Sequence, residues 1–294
     1  MQVVATLSTI PSRINRIRPT IESLLRQTYP VEKVEINIPY WCVRTAEPYQ
    51  IPDWMTAMEN VEIYRTEDYG AITKVAPTLI RHNKDKFVWS VDDDFVYDPT
   101  HLETLLNGAD GQSIVCFHGG IWTTRGFAGC HGQIKKVDVM EGFFGIVYPP
   151  GCIQDDFLSY VEKTSAYWDN RKSDDVILSN YFALHKVPML KIKYDPSTFT
   201  IMKTEQTYGN EADALKNQDN GHAVRYVRVL RWLEDNGLCG WTTTVQQPPK
   251  DLNVRKSRPP PYYSFFPTID KPVRMPIKGP TYFMYSLKGI KTLI

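Results

Sequence analysis

The sequence has no long apolar run, no C-x-x-C spacing and no glycine-rich phosphate loop, and each absence excludes a class of protein. No stretch approaches the ~18 apolar residues of a transmembrane helix. The five cysteines are odd in number and scattered, which argues against a disulfide framework and a zinc site and fits a reducing compartment. Neither G-x-x-x-x-G-K-[ST] nor G-x-G-x-x-G occurs, so a P-loop ATPase and a Rossmann dehydrogenase are disfavoured.

The amino-terminal residues, MQVVATLSTIPSR, lack the basic segment and the long apolar core of a signal peptide. We therefore expect a cytoplasmic or peripherally membrane-associated protein. The formal net charge of the 294 residues is only +1, so no nucleic-acid partner is expected. The hydrophobic content of 42% and the charged content of 23% are typical of globular proteins.

The balanced net charge conceals a basic carboxyl-terminal segment. From Lys250 to Ile294 there are nine Lys or Arg and two Asp or Glu, whereas the preceding residues have a net charge of −6. Residues 245–294 are also rich in proline and aromatics, which is unusual for a disordered linker. We predict either an arm that packs its aromatics on the domain or a surface that contacts a partner, an acceptor or an anionic membrane.

Short apolar, β-rich runs alternate with helical patterns along the chain. The runs predict strands at 2–8, 31–39, 60–65, 86–91, 113–120, 134–151 and 189–194. Apolar residues at helical spacing predict helices at 14–27, 72–82, 99–108, 154–164, 174–187 and 222–237. This alternation indicates an α/β fold with a mostly parallel central sheet flanked by helices. The polar residues 203–221 are expected to form a loop.

Three consecutive aspartates, Asp92, Asp93 and Asp94, follow the predicted strand 86–91 directly. One explanation is a solvated acidic turn, but such turns usually carry Gly, Asn or Ser rather than the Phe-Val-Tyr found here. Ligands of parallel α/β sheets bind at the carboxyl ends of strands. If extended geometry continues, Asp92 and Asp94 project together and Asp93 projects oppositely. Two carboxylates on one side suit Mn²⁺ or Mg²⁺, with water and a substrate phosphate as further ligands.

A second acidic pair, Asp174 and Asp175, begins the predicted helix 174–187. Ser173 can cap that helix, and carboxylates in a first turn interact favourably with the helix dipole. Helix capping alone would therefore explain both acids.

Several segments, taken in order, resemble one enzyme family. They are TIPSR after the first strand, DYGAITK at 68–74, VDDDFVYDP, EGFFGIVYP and SDDVILSNYFA. Their order and spacing, over about residues 2–190, are similar to those of GT-A fold glycosyltransferases of the D-x-D type, in a compact group with a DYGPATK-like and a VDDD-like core. No single motif is decisive. The resemblance implies one GT-A domain over 1–244, with a nucleotide-sugar-binding half at 1–110, an acceptor-binding half at 111–244 and the extension 245–294.

The resemblance also implies roles for individual residues. Asp94 would be the direct metal ligand, and Asp92 a second metal ligand or a contact to the ribose. Asp175 would be the general base of an inverting reaction, and Asp174 the residue that orients the acceptor or the donor sugar. The donor, a UDP-sugar, would be bound by Thr6, Pro11, Arg13, Asp68, Tyr69, Gly70, Lys74 and Asp93. For Arg13, a surface position at a helix start is an equal alternative. The acceptor, a glycan or another hydroxyl compound, and its sugars would meet Gly142, Phe143 or Phe144, and Trp122 or Trp168, although both tryptophans also suit a core. His222 is the one candidate for an additional metal ligand.

Two other functions remain open. A sugar nucleotidyltransferase would share the sheet and the metal-binding aspartates, but it usually has a glycine-rich basic loop after the first strand, and LSTIPSRINR has no glycine. A non-catalytic carbohydrate-binding module on the same fold is the other. Adjacent carboxylates that repel one another argue against a protein without chemistry.

Overall fold

The computed structural model describes residues 1–130, 135–193, 222–242, 269–275 and 282–287. For residues 222 and 223 and for the last two ranges, the description is limited to the backbone. The predicted loop 203–221 and most of the extension 245–294 lie outside the described residues. None of the described helices has the length and the apolar character needed to cross a bilayer.

The described strands come in two groups along the chain. The first six are β1 (Val3–Leu7), β2 (Lys33–Pro39), β3 (Trp41–Cys42), β4 (Glu47–Pro48), β5 (Val61–Thr66) and β6 (Phe87–Ser90). The others are β7 (Ile114–Thr123), β8 (Gly126–Gly129), β9 (Lys135–Lys136), β10 (Val139–Tyr148), β11 (Met189–Lys191), β12 (Ile269–Met275) and β13 (Tyr282–Leu287).

The described helices separate these strands. They are α1 (Arg18–Leu25), α2 (Asp53–Thr56), α3 (Ala76–His82), α4 (His101–Asn107), α5 (Phe157–Ser165), α6 (Trp168–Arg171), α7 (Asp174–Leu184) and α8 (His222–Asp235). A 3-10 helix, Gly70–Lys74, precedes α3.

One sheet contains all described strands except the β3–β4 hairpin. Its order is β12-β13-β5-β2-β1-β6-β10-β7-β11-β9, and β8 pairs with β7. The central strands β5, β2, β1 and β6 run parallel, and β10 is antiparallel to both of its neighbours. The predicted α/β class with a parallel centre is confirmed. The backbones of β12 and β13, from the carboxyl-terminal extension, join the sheet beside β5.

Helices cover both faces of the sheet because successive strand residues point to opposite sides. Trp89 faces a cluster that includes Ile21 of α1 and Leu105 of α4. Val88 faces a second cluster, which is completed by α3, α5, α7 and α8. Full burial of each large apolar side chain contributes roughly 1.5–3 kcal/mol. The fold is therefore a three-layer α/β/α arrangement.

The predicted helices are confirmed, although four of them begin later than the periodicity indicated, at Arg18, Ala76, His101 and Phe157. The helix expected at 14–27 begins at Arg18, because Pro19 in its first turn is compatible only with a helix start. The helix expected at 72–82 is divided into the 3-10 helix and α3, with Pro77 in the first turn of α3. Ile14 and Ile17 are nevertheless buried, which explains their helical spacing.

Candidate functional site

A cavity of about 670 Å³ lies at the carboxyl ends of the parallel strands. It is lined by the residues after β1, by Pro39 at the end of β2, by the loop after β5 and by the aspartates after β6. This is the position at which α/β sheets bind ligands. Twelve of the predicted site residues line it: Arg13, Asp68, Gly70, Lys74, Asp92, Asp93, Asp94, Phe143, Phe144, Trp168, Asp174 and Asp175.

The acidic turn does not continue the strand alternation assumed from the sequence. Strand β6 ends at Ser90, and residues 93 and 94 form a turn. Arg13 Nη1 lies 2.9 Å from Asp93 Oδ1 and 3.6 Å from Asp94 Oδ2, so these two side chains face the same guanidinium. Asp93 also accepts a hydrogen bond from Thr9. The expectation that Asp93 projects away from its neighbours is therefore wrong. Arg13 is buried and anchors the turn, so it does not occupy an exposed helix start.

Asp94 retains one open carboxylate oxygen. Its Oδ1 is buried and has no hydrogen-bond partner among the residues that the structure describes. Burial, together with the charges of Asp92 and Asp93, raises the pKa of Asp94 to about 7. A buried polar atom without a partner is costly, and a bound cation would satisfy it.

The carboxylates fit a divalent cation that takes most of its ligands from a substrate. Within the described ranges, no group of three or more His, Cys, Asp and Glu side chains is arranged to hold a metal ion. Mg²⁺ is usually bound by one or two carboxylates together with substrate phosphates and water. Asp94, with Asp92 beside it, meets that requirement. The side chain of His222 lies outside the described residues, so its role as an additional ligand stays a prediction.

Lys74 connects the two acidic segments. It ends the 3-10 helix, and its Nζ lies 2.7 Å from Asp92 Oδ1 and 2.8 Å from Asp174 Oδ2. Burial alone would lower the pKa of Lys74, but the carboxylates of Asp174, Asp92 and Asp175 raise it well above its usual value. Lys74 is therefore a buried cation held between carboxylates from two distant parts of the chain.

The second acidic pair points into the cavity rather than toward the helix amides. Ser173 is the residue before α7, but its side chain makes no capping hydrogen bond. Asp174 pairs with Lys74, while Asp175 accepts hydrogen bonds from the Gly142 N–H (2.9 Å) and the Tyr226 hydroxyl (2.6 Å). Burial and the charge of Asp174 raise the pKa of Asp175 to about 8. Helix capping therefore does not account for these carboxylates.

Helix α8 holds the start of α7, a role that the sequence did not reveal. Arg225 donates from Nε to Ser173 Oγ over 3.1 Å and lines the cavity. Tyr226 binds Asp175, and Arg228 Nε lies 3.7 Å from Asp169. The only signal was the pattern RYVR in an amphipathic helix, which does not indicate what such side chains contact.

An irregular segment of β10 forms the wall beside Asp175. The register of β10 against β7 shifts between Glu141 and Ile146. A Cβ atom at Gly142 would lie 3.2 Å from Lys74 Nζ and 3.3 Å from Asp175 Oδ1, so a side chain there would press on both charged groups. Phe143 lines the cavity and packs against Phe144, with ring centroids 4.3 Å apart.

Asp68 fastens the loop after β5. Its Oδ1 accepts from the Gly70 N–H (2.6 Å) and from Arg171 Nη2 (2.7 Å), and its Oδ2 accepts from the Val43 N–H (2.7 Å). Gly70 has φ +80° and lies directly against the backbone of Arg171, so a side chain there would be strained as well as crowded. Asp68 therefore joins three segments at the cavity wall.

Four other predicted residues, Thr6, Pro11, Tyr69 and Trp122, lie outside the cavity lining. Thr6 is fully buried beneath it, where its hydroxyl donates to the Lys74 carbonyl over 2.8 Å. Pro11 and Tyr69 lie near the site without lining it. Trp122 is buried against Phe127 and Trp241. Trp168, by contrast, lines the cavity, with Lys172 Nζ 5.1 Å from its ring centre.

Further lining residues were not anticipated from the sequence. They include Ser8, Thr9, Arg44, Tyr49, Phe95, Glu141, Arg171, Lys172 and Arg225. Single polar residues of this kind, spread over loops and helix ends, carry no local pattern. Glu141 could have been noticed because it is an acidic residue within the EGFFG segment.

No protein-family model and no curated protein sequence matches the chain. The 2-C-methyl-D-erythritol 4-phosphate cytidylyltransferase of Francisella tularensis aligns at 11% identity and a TM-score of 0.38, over 71% of this chain and 97% of its own. TarS of S. aureus aligns at 13% identity and a TM-score of 0.40, over 67% of this chain and 37% of its own. Residues 1-349 of TarS in complex with UDP align at 13% identity and a TM-score of 0.39, over 67% and 61%. Similarity of this size does not assign the chain to a family.

Proposed function

We propose that the protein is a metal-dependent, inverting glycosyltransferase that transfers a sugar from a UDP-sugar to a hydroxyl acceptor. The observation that carries the proposal is that one cavity is lined by both acidic segments, Asp92–Asp94 and Asp174–Asp175, which are about 80 residues apart in the sequence. The first segment has an open carboxylate oxygen, and the second has a carboxylate held by hydrogen bonds. These are the two elements that the resemblance to GT-A glycosyltransferases implies.

On the donor side, Asp94 and Asp92 would hold Mn²⁺ or Mg²⁺. The bound cation would neutralise the diphosphate and the charge that develops on the leaving UDP. Arg13 keeps the acidic turn in place through Asp93 and Asp94. Residues 1–110 would bind the nucleotide-sugar, and 111–244 would bind the acceptor. A contact between the carboxyl-terminal extension and a partner or a membrane stays a prediction.

On the acceptor side, Asp175 would act as the general base. The acceptor oxygen attacks the anomeric carbon, the bond from that carbon to the diphosphate breaks, and the hydroxyl proton passes to a carboxylate oxygen of Asp175. A single displacement inverts the configuration. The Gly142 N–H and the Tyr226 hydroxyl use one lone pair on each carboxylate oxygen, and further lone pairs stay free to accept the proton. A base with a pKa near the working pH combines availability with strength.

The loop after β1 favours this proposal over a sugar nucleotidyltransferase. That loop contributes Ser8, Thr9, Ile10 and Arg13 to the cavity and contains no glycine. Arg13 is already paired with Asp93 and Asp94. A loop of this kind is poorly suited to wrapping a triphosphate with its backbone.

The test is calorimetric titration of UDP into the purified protein, first with Mn²⁺ and then with EDTA. Binding that requires the metal supports the donor site, and a panel of UDP-sugars with sugar acceptors then tests transfer. If UDP does not bind in either condition, the proposal is overturned. If CTP with a sugar phosphate reacts and releases diphosphate, the protein is a nucleotidyltransferase instead.

A further inference from the structure

Glu141 is a carboxylate in the cavity whose position is fixed by its neighbours. It lies in β10, between Met140 and Gly142. The Met140 N–H donates to Ser179 Oγ over 2.9 Å, and the Gly142 N–H donates to Asp175 Oδ1 over 2.9 Å. Both acceptors belong to α7. The backbone on each side of Glu141 is thus attached to the helix that carries Asp175, and Glu141 itself lines the cavity.

The carboxylate of Glu141 makes no hydrogen bond and no ion pair within the part of the chain that the structure describes. The other acids beside it have partners: Asp174 is paired with Lys74, and Asp175 is bound by Tyr226 and the Gly142 N–H. Glu141 is half-buried, and burial raises its pKa. Because no described side chain donates to it, water or a bound ligand can supply the hydrogen-bond donor that a half-buried carboxylate needs.

The chemistry of Glu141 suits the acceptor rather than the donor. A diphosphate is anionic, and a carboxylate without a nearby cation repels it. A hydroxyl group, by contrast, donates a hydrogen bond to a carboxylate, and charged acceptors make the stronger hydrogen bonds. Under the proposed function, Asp175 receives the reacting hydroxyl. Its Oδ1 accepts from the N–H of Gly142, the residue after Glu141, and both carboxylates line the same cavity, so one acceptor molecule that reaches Asp175 can also offer a hydroxyl to Glu141.

We propose that Glu141 accepts a hydrogen bond from a second hydroxyl of the acceptor and thereby places the reacting hydroxyl on Asp175. The acceptor is then a sugar with at least two neighbouring hydroxyls, and a simple alcohol is a poor substrate. This inference rests on the proposed function. It names a specificity-determining residue and narrows the class of acceptor.

The experiment compares Glu141→Gln with wild type and with Glu162→Gln, an exposed glutamate of α5 outside the cavity lining. UDP-glucose, UDP-galactose and UDP-N-acetylglucosamine are offered with the methyl glycosides of glucose, galactose and mannose, and with cyclohexanol as the single hydroxyl. For an accepted glycoside, Glu141→Gln is expected to raise the acceptor KM roughly 5- to 10-fold, since the amide oxygen still accepts the hydrogen bond but lacks the charge that strengthens it. The kcat at saturation, the UDP affinity and the melting temperature are expected to stay near wild-type values, as they do in Glu162→Gln.

Each other outcome overturns the inference in a distinguishable way. If the acceptor KM is unchanged, Glu141 does not take part in acceptor recognition. If kcat falls while KM is unchanged, Glu141 acts in the chemical step, as the base, rather than in acceptor binding. If UDP binding still requires the metal but the sugar is transferred only to cyclohexanol, or to none of the glycosides, then the donor site is intact and a sugar acceptor is refuted. Preference for the methyl glycoside of glucosamine, lost in Glu141→Gln, would indicate an ammonium group instead. Absence of UDP binding overturns the proposed function itself.

Discussion

The two acidic segments of the cavity have similar sequences but different surroundings. In the turn after β6, Asp93 is bound by Arg13 and Thr9, whereas Asp94 keeps a buried oxygen without a partner in the described structure. At the start of α7, both oxygens of Asp175 accept hydrogen bonds. Burial raises the pKa of both Asp94 and Asp175.

Under the proposed function, this difference suits the two carboxylates to two different roles. A carboxylate with an open oxygen is suited to a cation, which supplies the missing interaction. A carboxylate held by two donors has a fixed orientation, which proton transfer requires. Lys74 lies between the segments and pairs with Asp92 on one side and Asp174 on the other.

Sugar transfer should depend most strongly on Asp175, the carboxylate held by two hydrogen bonds. Asp175→Asn is expected to lower the rate of sugar transfer on the order of 10² to 10⁴-fold, because an amide cannot take the acceptor proton. Metal-dependent UDP binding is expected to persist, and Asp155→Asn, an exposed change on the surface, should leave both properties unaltered. Transfer at the wild-type rate would assign the base to another residue. Steady-state kinetics and calorimetry measure these effects.

The lysine between the segments should matter mainly for stability. Lys74→Met leaves Asp92 and Asp174 without their shared cation, and breaking a buried pair typically costs about 3–5 kcal/mol. Urea unfolding measures this change in the free energy of unfolding. The exposed Lys84→Met is the control and should stay within about 0.5 kcal/mol of wild type. A small change in the free energy of unfolding for Lys74→Met would mean that Asp92 and Asp174 do not need the lysine between them.

The open carboxylate should control metal-dependent binding. Asp94→Ala is expected to reduce the UDP affinity measured with Mn²⁺ to the value measured with EDTA, because it removes the carboxylate proposed as the principal metal ligand. The fold should survive, as judged by the melting temperature. Asp85→Ala, at an exposed position outside the cavity lining, provides the matched control. A UDP affinity that still depends on Mn²⁺ in Asp94→Ala would place the metal elsewhere.

The hydroxyl of Tyr226 should lower the pKa of Asp175. Its hydrogen bond favours the charged form of Asp175, so Tyr226→Phe is expected to raise the pKa of Asp175 further above its ordinary value. Since a base acts only when deprotonated, the acidic limb of the kcat profile should move to higher pH, by roughly 1–2 units. The pH dependence of kcat measures the shift. If the acidic limb of the kcat profile does not move, Tyr226 does not influence the catalytic base.

Much of the fold could be predicted from local patterns. The alternation of strands and helices indicated the α/β class, and the parallel strands β5, β2, β1 and β6 confirm it. Helices α1 and α3 begin later than the hydrophobic periodicity predicts, because Pro19 and Pro77 determine where each helix can begin. The small hairpin β3–β4 is absent from the predicted strands, since its two-residue strands have no periodic signal.

The candidate site was predictable where its residues follow strands and less so elsewhere. Asp92–Asp94 follow a strand end, and the carboxyl edge of a parallel sheet is where ligands bind. The directions of these side chains were not predictable, because the strand ends at Ser90 and a turn follows. The contributions of Arg225 and Tyr226 were also not predictable, since nothing in an amphipathic helix reveals which loop it will touch.

The sequence by itself determined the order of strands and helices and the presence of two acidic segments, because these depend on local periodicity and on residue type. Only the tertiary structure decided which carboxylate is open and which is held. That distinction depends on Arg13, Gly142 and Tyr226, which lie far from the aspartates in the chain and reach them only when the sheet and its helices are assembled. Which side chains contact one another across such distances depends on tertiary packing, and no local sequence pattern reveals it.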